Sequence, residues 1–205
     1  MQKKVPNSVL KRLPVYLAYL KSLPEDAPEH ISATSLAMAL NMGEVQVRKD
    51  LGALSRTGRP RIGYLIGELL ACMEKILSAE NGNTVIVGAG KLGKALLDYG
   101  GFAEYGISIL AAFDKKITKK EYTGEGKLLL PVEELSGFCL KNKVKIGVIA
   151  VPAEAAQEIC DLFYENGIKV MWCFSPCQLH VPSDAVIQYE NMALSLAHLK
   201  TQRKT

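Results

Sequence analysis

The chain has 205 residues, 48% of them hydrophobic, and a formal net charge of +4 at pH 7, which is enough chain for one large domain or two small ones. No apolar run approaches the roughly 18 residues that span a bilayer, and the N-terminus MQKKVPNSVLKRLP has no apolar stretch behind its charges, so neither a membrane anchor nor a signal peptide is expected. Five cysteines (Cys72, Cys139, Cys160, Cys173, Cys177) are an odd number in apolar contexts, which fits reduced thiols in the cytoplasm better than a disulfide framework. Cys173 and Cys177 have only His180 as a further soft ligand nearby, and no metal is expected there. The charge is unevenly spread: residues 1–64 hold ten Lys/Arg against five Asp/Glu, and the remainder fifteen against sixteen. A basic third beside a near-neutral remainder points to an anionic partner, nucleic acid or membrane surface, for that third alone.

Up to residue 80 the predicted elements are helical. Apolar residues recur at helical spacing in Val9, Leu13, Tyr16, Leu17 and Leu20, then Leu36, Ala37 and Leu40, then Val45, Val47, Leu51 and Leu54, then Leu65, Leu69, Met73, Ile76 and Leu77. The turn-forming cluster Asn81-Gly82-Asn83 ends this pattern and marks a domain boundary, leaving residues 1–80 as a small helical domain. Within it, residues 36–51 fit a helix-turn-helix: Ala37 allows a close crossing, and Leu40, Val47 and Leu51 fill the joint. Asn41 stands where such turns usually carry glycine, and asparagine is one of the few residues that enter the left-handed region readily. Ser32 suits the cap of the first helix and Gly43 that of the second. Gln46, Arg48 and Lys49 then fall in the N-terminal half of the second helix, the part a recognition helix offers to the major groove. The alternative is a helical hairpin with a solvated basic face. Residues 56–64 follow, short and glycine-punctuated, with Arg56, Arg59 and Arg61. They read as a basic wing suited to a narrow, electronegative minor groove, hence to AT-rich DNA, or else as a solvated linker.

After the boundary, β-rich runs alternate with helical ones: TVIVG and a helix from Lys91, then ISILAAFD, LLLP with VEELSGFCL, IGVIAVP with AEAAQEICDLFYENG, and KVMWCF. That alternation predicts a parallel sheet flanked by helices, an α/β domain over residues 81–189. Gly88-Ala89-Gly90-Lys91-Leu92-Gly93 is G-x-G-x-x-G placed between a strand and a helix. Gly88 permits the tight turn, Gly90 lets backbone approach a pyrophosphate, and Gly93 packs helix on sheet. Asp114 ends the next strand, where a carboxylate accepts from ribose hydroxyls and repels a 2′-phosphate, which favours NAD(H) over NADP(H). Lys115 and Lys116 beside it temper that preference, because cations there can serve a 2′-phosphate. Val151 and Pro152 come from a third strand-to-helix turn at the same sheet edge. The three histidines, His30, His180 and His198, lie away from this edge, and little chain remains for a substrate pocket. The nucleotide is expected to be sensed and not consumed, with no catalytic residues. Residues 190–205 predict a C-terminal helix, apolar over much of its circumference, that needs a partner to cover it.

Several segments together resemble one family over almost the whole chain: Lys11-Arg12-Leu13-Pro14-Val15-Tyr16, Gln46-Val47-Arg48-Lys49-Asp50-Leu51, Gly63-Tyr64, the glycine motif with Lys94-Ala95-Leu96, Ala112-Phe113-Asp114, Val151-Pro152-Ala153-Glu154-Ala155-Ala156 and Phe174-Ser175-Pro176. The family is the Rex redox-sensing transcriptional repressors. The resemblance implies an N-terminal winged helix-turn-helix domain, a C-terminal Rossmann domain and a domain-swapped C-terminal helix. It also implies a homodimer on a palindromic operator, bound when NADH is scarce and released when it accumulates. Arg12, Arg48 and Lys49 take the family's DNA-contact positions, and Arg59 and Arg61 its basic wing. Phe174 and Pro176 fall at the nicotinamide end. Tyr99 matches a tyrosine that in some members pairs across the dimer with an aspartate before the swapped helix. Here Asn191-Met192-Ala193-Leu194 carries no such aspartate. Gly52-Ala53-Leu54-Ser55-Arg56 also lacks the aromatics that follow the recognition helix in many relatives.

Two other functions compete at this level. A small NAD-dependent oxidoreductase with an N-terminal dimerisation domain would turn over alcohols or aldehydes. A nucleotide-gated potassium-regulatory subunit would have no use for a basic helix-turn-helix. Salt-sensitive binding to a defined operator separates both from a repressor.

Overall fold

The structure, a computed structural model, describes residues 5–55, 58–79 and 82–202. They fall into two compact units, residues 1–80 with 104–106 and residues 81–103 with 107–205.

The first unit is built on α1 (Asn7–Leu10), α2 (Leu13–Lys21), β1 (His30–Ile31), α3 (Ala33–Ala39), α4 (Glu44–Leu54), β2 (Tyr64–Leu65) and α5 (Ile66–Leu77). Its core is the expected apolar set, with Leu13, Tyr16, Leu17, Leu36, Val47, Leu51, Leu69 and Met73 wholly buried. Burying one such side chain stabilises the fold by about 1.5–3 kcal/mol, so the helices hold through packing more than through propensity. The sequence suggested one helix from Val9 to Leu20, but the structure has two. Pro14 is the reason: it has no N–H for the Leu10 carbonyl and its ring would strike that group, so α1 stops at Leu10 and α2 restarts with the proline in its first turn. Val45 falls in the apolar pattern of α4, yet it is 66% exposed and joins no cluster.

The second unit contains β3 (Gly82–Val87), α6 (Lys91–Asp98), a 3₁₀ turn (Gly100–Tyr105, entering the first unit at Glu104), β4 (Ile107–Asp114), β5 (Glu121–Tyr122), β6 (Leu128–Pro131), a 3₁₀ turn (Val132–Glu134), α7 (Leu135–Asn142), β7 (Ile146–Ile149), α8 (Ala153–Glu165), β8 (Val170–Cys173), β9 (Val186–Tyr189) and α9 (Met192–Gln202). The sheet order is β5-β6-β4-β3-β7-β8-β9, parallel except where β5 pairs with β6. This is the doubly wound Rossmann arrangement. Alternating residues of β3 feed two cores: Val85 and Val87 pack with Phe113, Ile149 and Phe163, while Ile86 packs with Leu97, Ala112 and Val148. β5 and β9 are absent from the predicted pattern; both are edge strands, β5 only two exposed residues long and β9 alternating between exposed and half-buried residues.

Cys139, Cys160 and Cys173 are buried, Cys72 and Cys177 half-buried, and all five are free; burial pushes the Cys139 thiol up to about 11. α9 follows β9, with Asn191 Oδ1 accepting from the Leu194 N–H at its start, 3.0 Å. Its Met192, Leu194, Leu196 and Leu199 are each more than half exposed. Among the described residues no helix is long and apolar enough to cross a membrane.

Candidate functional site

The carboxyl edge of the sheet gathers the predicted nucleotide residues where the strand order reverses between β3 and β7. Gly88 follows β3 with a positive φ of 107°, and a Cβ there would overlap the Ala150 carbonyl oxygen. Gly93 is buried in α6, and its Cβ would overlap the Gly88 carbonyl oxygen. Gly90 differs: it caps α6, and a Cβ there meets nothing within 4 Å. Two glycines therefore close the turn internally and the third leaves open space before the first N–H groups of α6. No side chain caps that helix and no acid sits in its first turn, so its positive end is free for an anion. Ala89 is buried, Lys91 exposed and Leu92 half-buried.

Asp114 is held from both sides. Its Oδ2 accepts from the Ala89 N–H at 2.8 Å and its Oδ1 from the Lys116 N–H at 2.9 Å. The carboxylate thereby ties the glycine turn to the end of β4 and keeps lone pairs for a further donor. Lys115 beside it is exposed. Across the switch point Val151 is half-buried, its carbonyl accepting from the buried Ser175 hydroxyl at 2.6 Å, and Pro152 caps α8. Phe174 follows β8, half-buried, and Pro176 is exposed. Phe174 packs against Trp172 with ring centroids 4.4 Å apart, Trp172 against Phe102 at 6.0 Å, and Phe102 against Tyr99 at 5.0 Å. Trp172 Nε1 donates to Glu190 Oε1 at 3.3 Å. Tyr99, at the C-cap of α6, is exposed.

In the first unit α3, the turn and α4 form the predicted helix-turn-helix. Ser32 Oγ accepts from the Ser35 N–H, capping α3, and Asn41 takes φ 51° in the turn. Gln46, Arg48 and Lys49 are exposed on α4, with Arg48 paired to Glu44 one turn earlier. Gln46 and Lys49 line a cleft of about 590 Å³ with Val45, Ser8 and Arg12. The wing is a hairpin tip: Arg59 and Gly63 exchange backbone hydrogen bonds of 2.9 Å each, Arg61 has φ 68°, and β2 pairs with β1 behind it. Arg59 and Arg61 are exposed. Arg56 lies outside the described residues.

Arg12 is in a different setting from the other basic residues. Its guanidinium grips Asp50 of α4 with two hydrogen bonds, Nε to Oδ2 at 2.6 Å and Nη2 to Oδ1 at 2.8 Å. Tyr16 adds a hydroxyl donor to Oδ2 at 2.7 Å. Burial alone would raise the Asp50 carboxyl, but the hydrogen bonds from Arg12 and Tyr16 outweigh it and hold the group below its usual range. The same burial, with the bond to Asp50, pushes the Tyr16 hydroxyl up to about 12.

Residues 4–52 match the family model described as "Putative DNA-binding protein N-terminus" and residues 79–177 the CoA binding domain family. The chain is 36% identical over 196 residues to the redox-sensing transcriptional repressor Rex of Syntrophomonas wolfei, covering 94% of this chain and 92% of that one. It is 33% identical to the Rex of Porphyromonas gingivalis, covering 98% and 93%. The chain belongs to the Rex family. Its fold agrees with that of the Rex-family repressor RSP: a crystal structure of RSP with β-NAD+ and operator DNA superposes with a TM-score of 0.84 at 30% identity, covering 98% of this chain and 93% of that one. RSP with β-NADH gives 0.81. Rex proteins are regulators and not enzymes.

Four contributors in this Rex-family chain escaped the sequence reading: Asp50, Tyr16, Trp172 and Phe102. Asp50 carried a signal, since it sits on the buried phase of α4 beside Val47 and Leu51, and a carboxylate there needs a partner. The aromatic chain carried none, because the contact that links its two local pairs, Phe102 on Trp172, joins residues far apart in sequence.

Proposed function

We propose that this chain represses transcription by binding a palindromic, AT-rich operator as a homodimer and leaves it when NADH accumulates. The carrying observation is the open cradle at Gly90, backed by the fixed Asp114 carboxylate, in a chain that also presents Gln46, Arg48 and Lys49 exposed on α4. RSP, solved both with β-NADH and with β-NAD+ together with operator DNA, supports the same pairing of ligands. The site of action is the cytoplasm, where DNA and the NADH pool meet.

The residues divide into two sets. At the sheet edge, Gly88, Ala89, Gly90, Lys91, Leu92 and Gly93 hold the pyrophosphate at the start of α6, and Asp114, with Lys115 beside it, accepts from ribose hydroxyls. Val151 and Pro152 border the crevice, and Phe174 and Pro176 face the nicotinamide, with Tyr99 at the far end of the aromatic chain. The bound nucleotide supplies a ring whose two oxidation states differ by a hydride and one positive charge. Phe174 and Pro176 offer that ring apolar surface, where an uncharged form is held better than a cation. On the DNA side, Gln46, Arg48 and Lys49 enter the major groove, Arg56, Arg59 and Arg61 the minor groove, and Arg12 contacts the backbone beside α4 while fixing that helix through Asp50. A second copy covers α9 by a domain swap. With no aspartate before α9, the trigger rests on the packing around Phe174, and about 3–5 kcal/mol of differential affinity between dimer states is enough for control.

Two measurements test these assignments. Lys49→Ala should weaken duplex binding evenly across sequences and lower the slope of log K against log salt by about one; an unchanged slope would remove Lys49 from the phosphate contacts. Trp172 is the single tryptophan and abuts Phe174, so NADH should quench its fluorescence by energy transfer. No quenching at saturating NADH would put the nicotinamide elsewhere.

A further inference from the structure

The outward face of α4 carries a feature that the basic residues leave unexplained. At about 100° per residue, Val47, Asp50 and Leu51 form the buried side, and Val45 and Gly52 share the opposite azimuth, flanked by Arg48 and Lys49. The Arg12–Asp50–Tyr16 triad fixes the rotation of α4, so this face is set. Val45 is 66% exposed, belongs to no apolar cluster, and borders the same cleft as Gln46 and Lys49. Gly52 has open space around its missing Cβ. Among the described residues nothing calls for glycine there, although it weakens a helix interior by about 1 kcal/mol relative to alanine. The centre of the face is thus one β-branched apolar side chain in the first turn and, two turns on, no side chain at all.

We infer that Val45 is a specificity-determining residue that reads a thymine by packing on its C5-methyl group, with Gly52 letting α4 lie close to the groove wall. The inference rests on the operator-binding function. The major-groove floor displays hydrogen-bonding groups at every base pair but only one apolar group, the thymine methyl. A branched apolar side chain in the first turn of a recognition helix, where base edges are met, has that group as its chemical match. Gln46 and Lys49 beside it supply polar contacts, and Val45 supplies the preference for T over C or an unmethylated pyrimidine.

The test uses the full chain and a duplex selected on it from a random pool at fixed salt. Each thymine, in both half-sites together, is replaced by deoxyuridine, which removes the methyl and keeps the pairing. For the parent, one symmetry-related position should weaken binding by about fourfold per half-site, the worth of one buried methyl. Val45→Ala should bind the thymine and uracil duplexes at that position equally, while melting at the parent's temperature and binding NADH as the parent does. If Val45→Ala keeps the parent's thymine-to-uracil ratio at every position, the inference is overturned. If the parent selects no duplex at all, the operator function fails first and this inference with it.

Discussion

Replacing Gly90 by valine should remove the NADH response and leave the fold intact. The backbone and the first side-chain atom allow it, because a Cβ at Gly90 meets nothing within 4 Å and its φ of −70° suits any residue. What the side chain fills is the space before the first N–H groups of α6, where the pyrophosphate is proposed to sit. NADH affinity should fall by about a hundredfold or more, about 2.7 kcal/mol, and the variant should hold operator at NADH concentrations that release the parent. Gly93→Ala makes the contrasting case. Its Cβ would overlap the Gly88 carbonyl oxygen, so α6 must shift off the sheet, and both stability and NADH binding should suffer. Calorimetric titration of NADH and thermal melting of the two variants check this. A Gly90→Val protein that melts normally and binds NADH like the parent would remove the glycine turn from the site.

Removing the Asp50 carboxylate should produce the largest loss in the DNA-binding unit. Asp50 is 3% exposed, and with Asp50→Ala the Arg12 guanidinium keeps its charge in a half-buried setting with its partner gone. Breaking one side of such a pair destabilises by about 3–5 kcal/mol, measurable by denaturant unfolding of the full chain. Tyr16→Phe loses one hydrogen bond to a charged acceptor and should lose about 1.5–3 kcal/mol. Operator affinity should drop with each, because α4 loses the anchor that sets its rotation. The pH dependence follows from the same geometry. The folded Asp50 carboxyl lies below its usual range, so its stabilisation is present above about pH 4 and is lost as pH falls through that value toward the folded one. Tyr16 has the opposite sign: its contribution is present below about pH 10 and fades as pH rises toward the folded value of about 12. Asp50→Asn should flatten the acid limb; an unchanged acid limb would show that other carboxylates govern it.

Much of the sheet was legible because both of its faces are covered. Strands such as ISILAAFD then read as continuous apolar runs, and the glycine motif falls between one of them and a helix that must approach it closely. Asp114 was legible by position alone, at the end of the next strand; its bond from the Ala89 N–H was not, since Ala89 lies 25 residues away. The helix-turn-helix was readable through Asn41 and Ser32, whose roles are local. Arg12 read as a DNA contact through the resemblance, and its role in fixing α4 was not legible. Its partner stands 38 residues downstream, and only the shared core of the first unit brings the two together. Val45 had the apolar character of a core residue, and periodicity could not tell a buried stripe from a single apolar residue in the first turn. The Trp172 cluster draws on a strand, a 3₁₀ turn and the end of α6, and no spacing announces it. β9 went unseen because an edge strand with alternating exposure and only four residues resembles a loop.

The most direct test of the account is the affinity of the protein for a labelled AT-rich palindromic duplex at fixed salt, titrated with NADH and separately with NAD+. NADH should release the duplex, and NAD+ at the same concentration should leave most of it bound. Equal effects of the two nucleotides would contradict it, because every contact outside the nicotinamide end treats them alike.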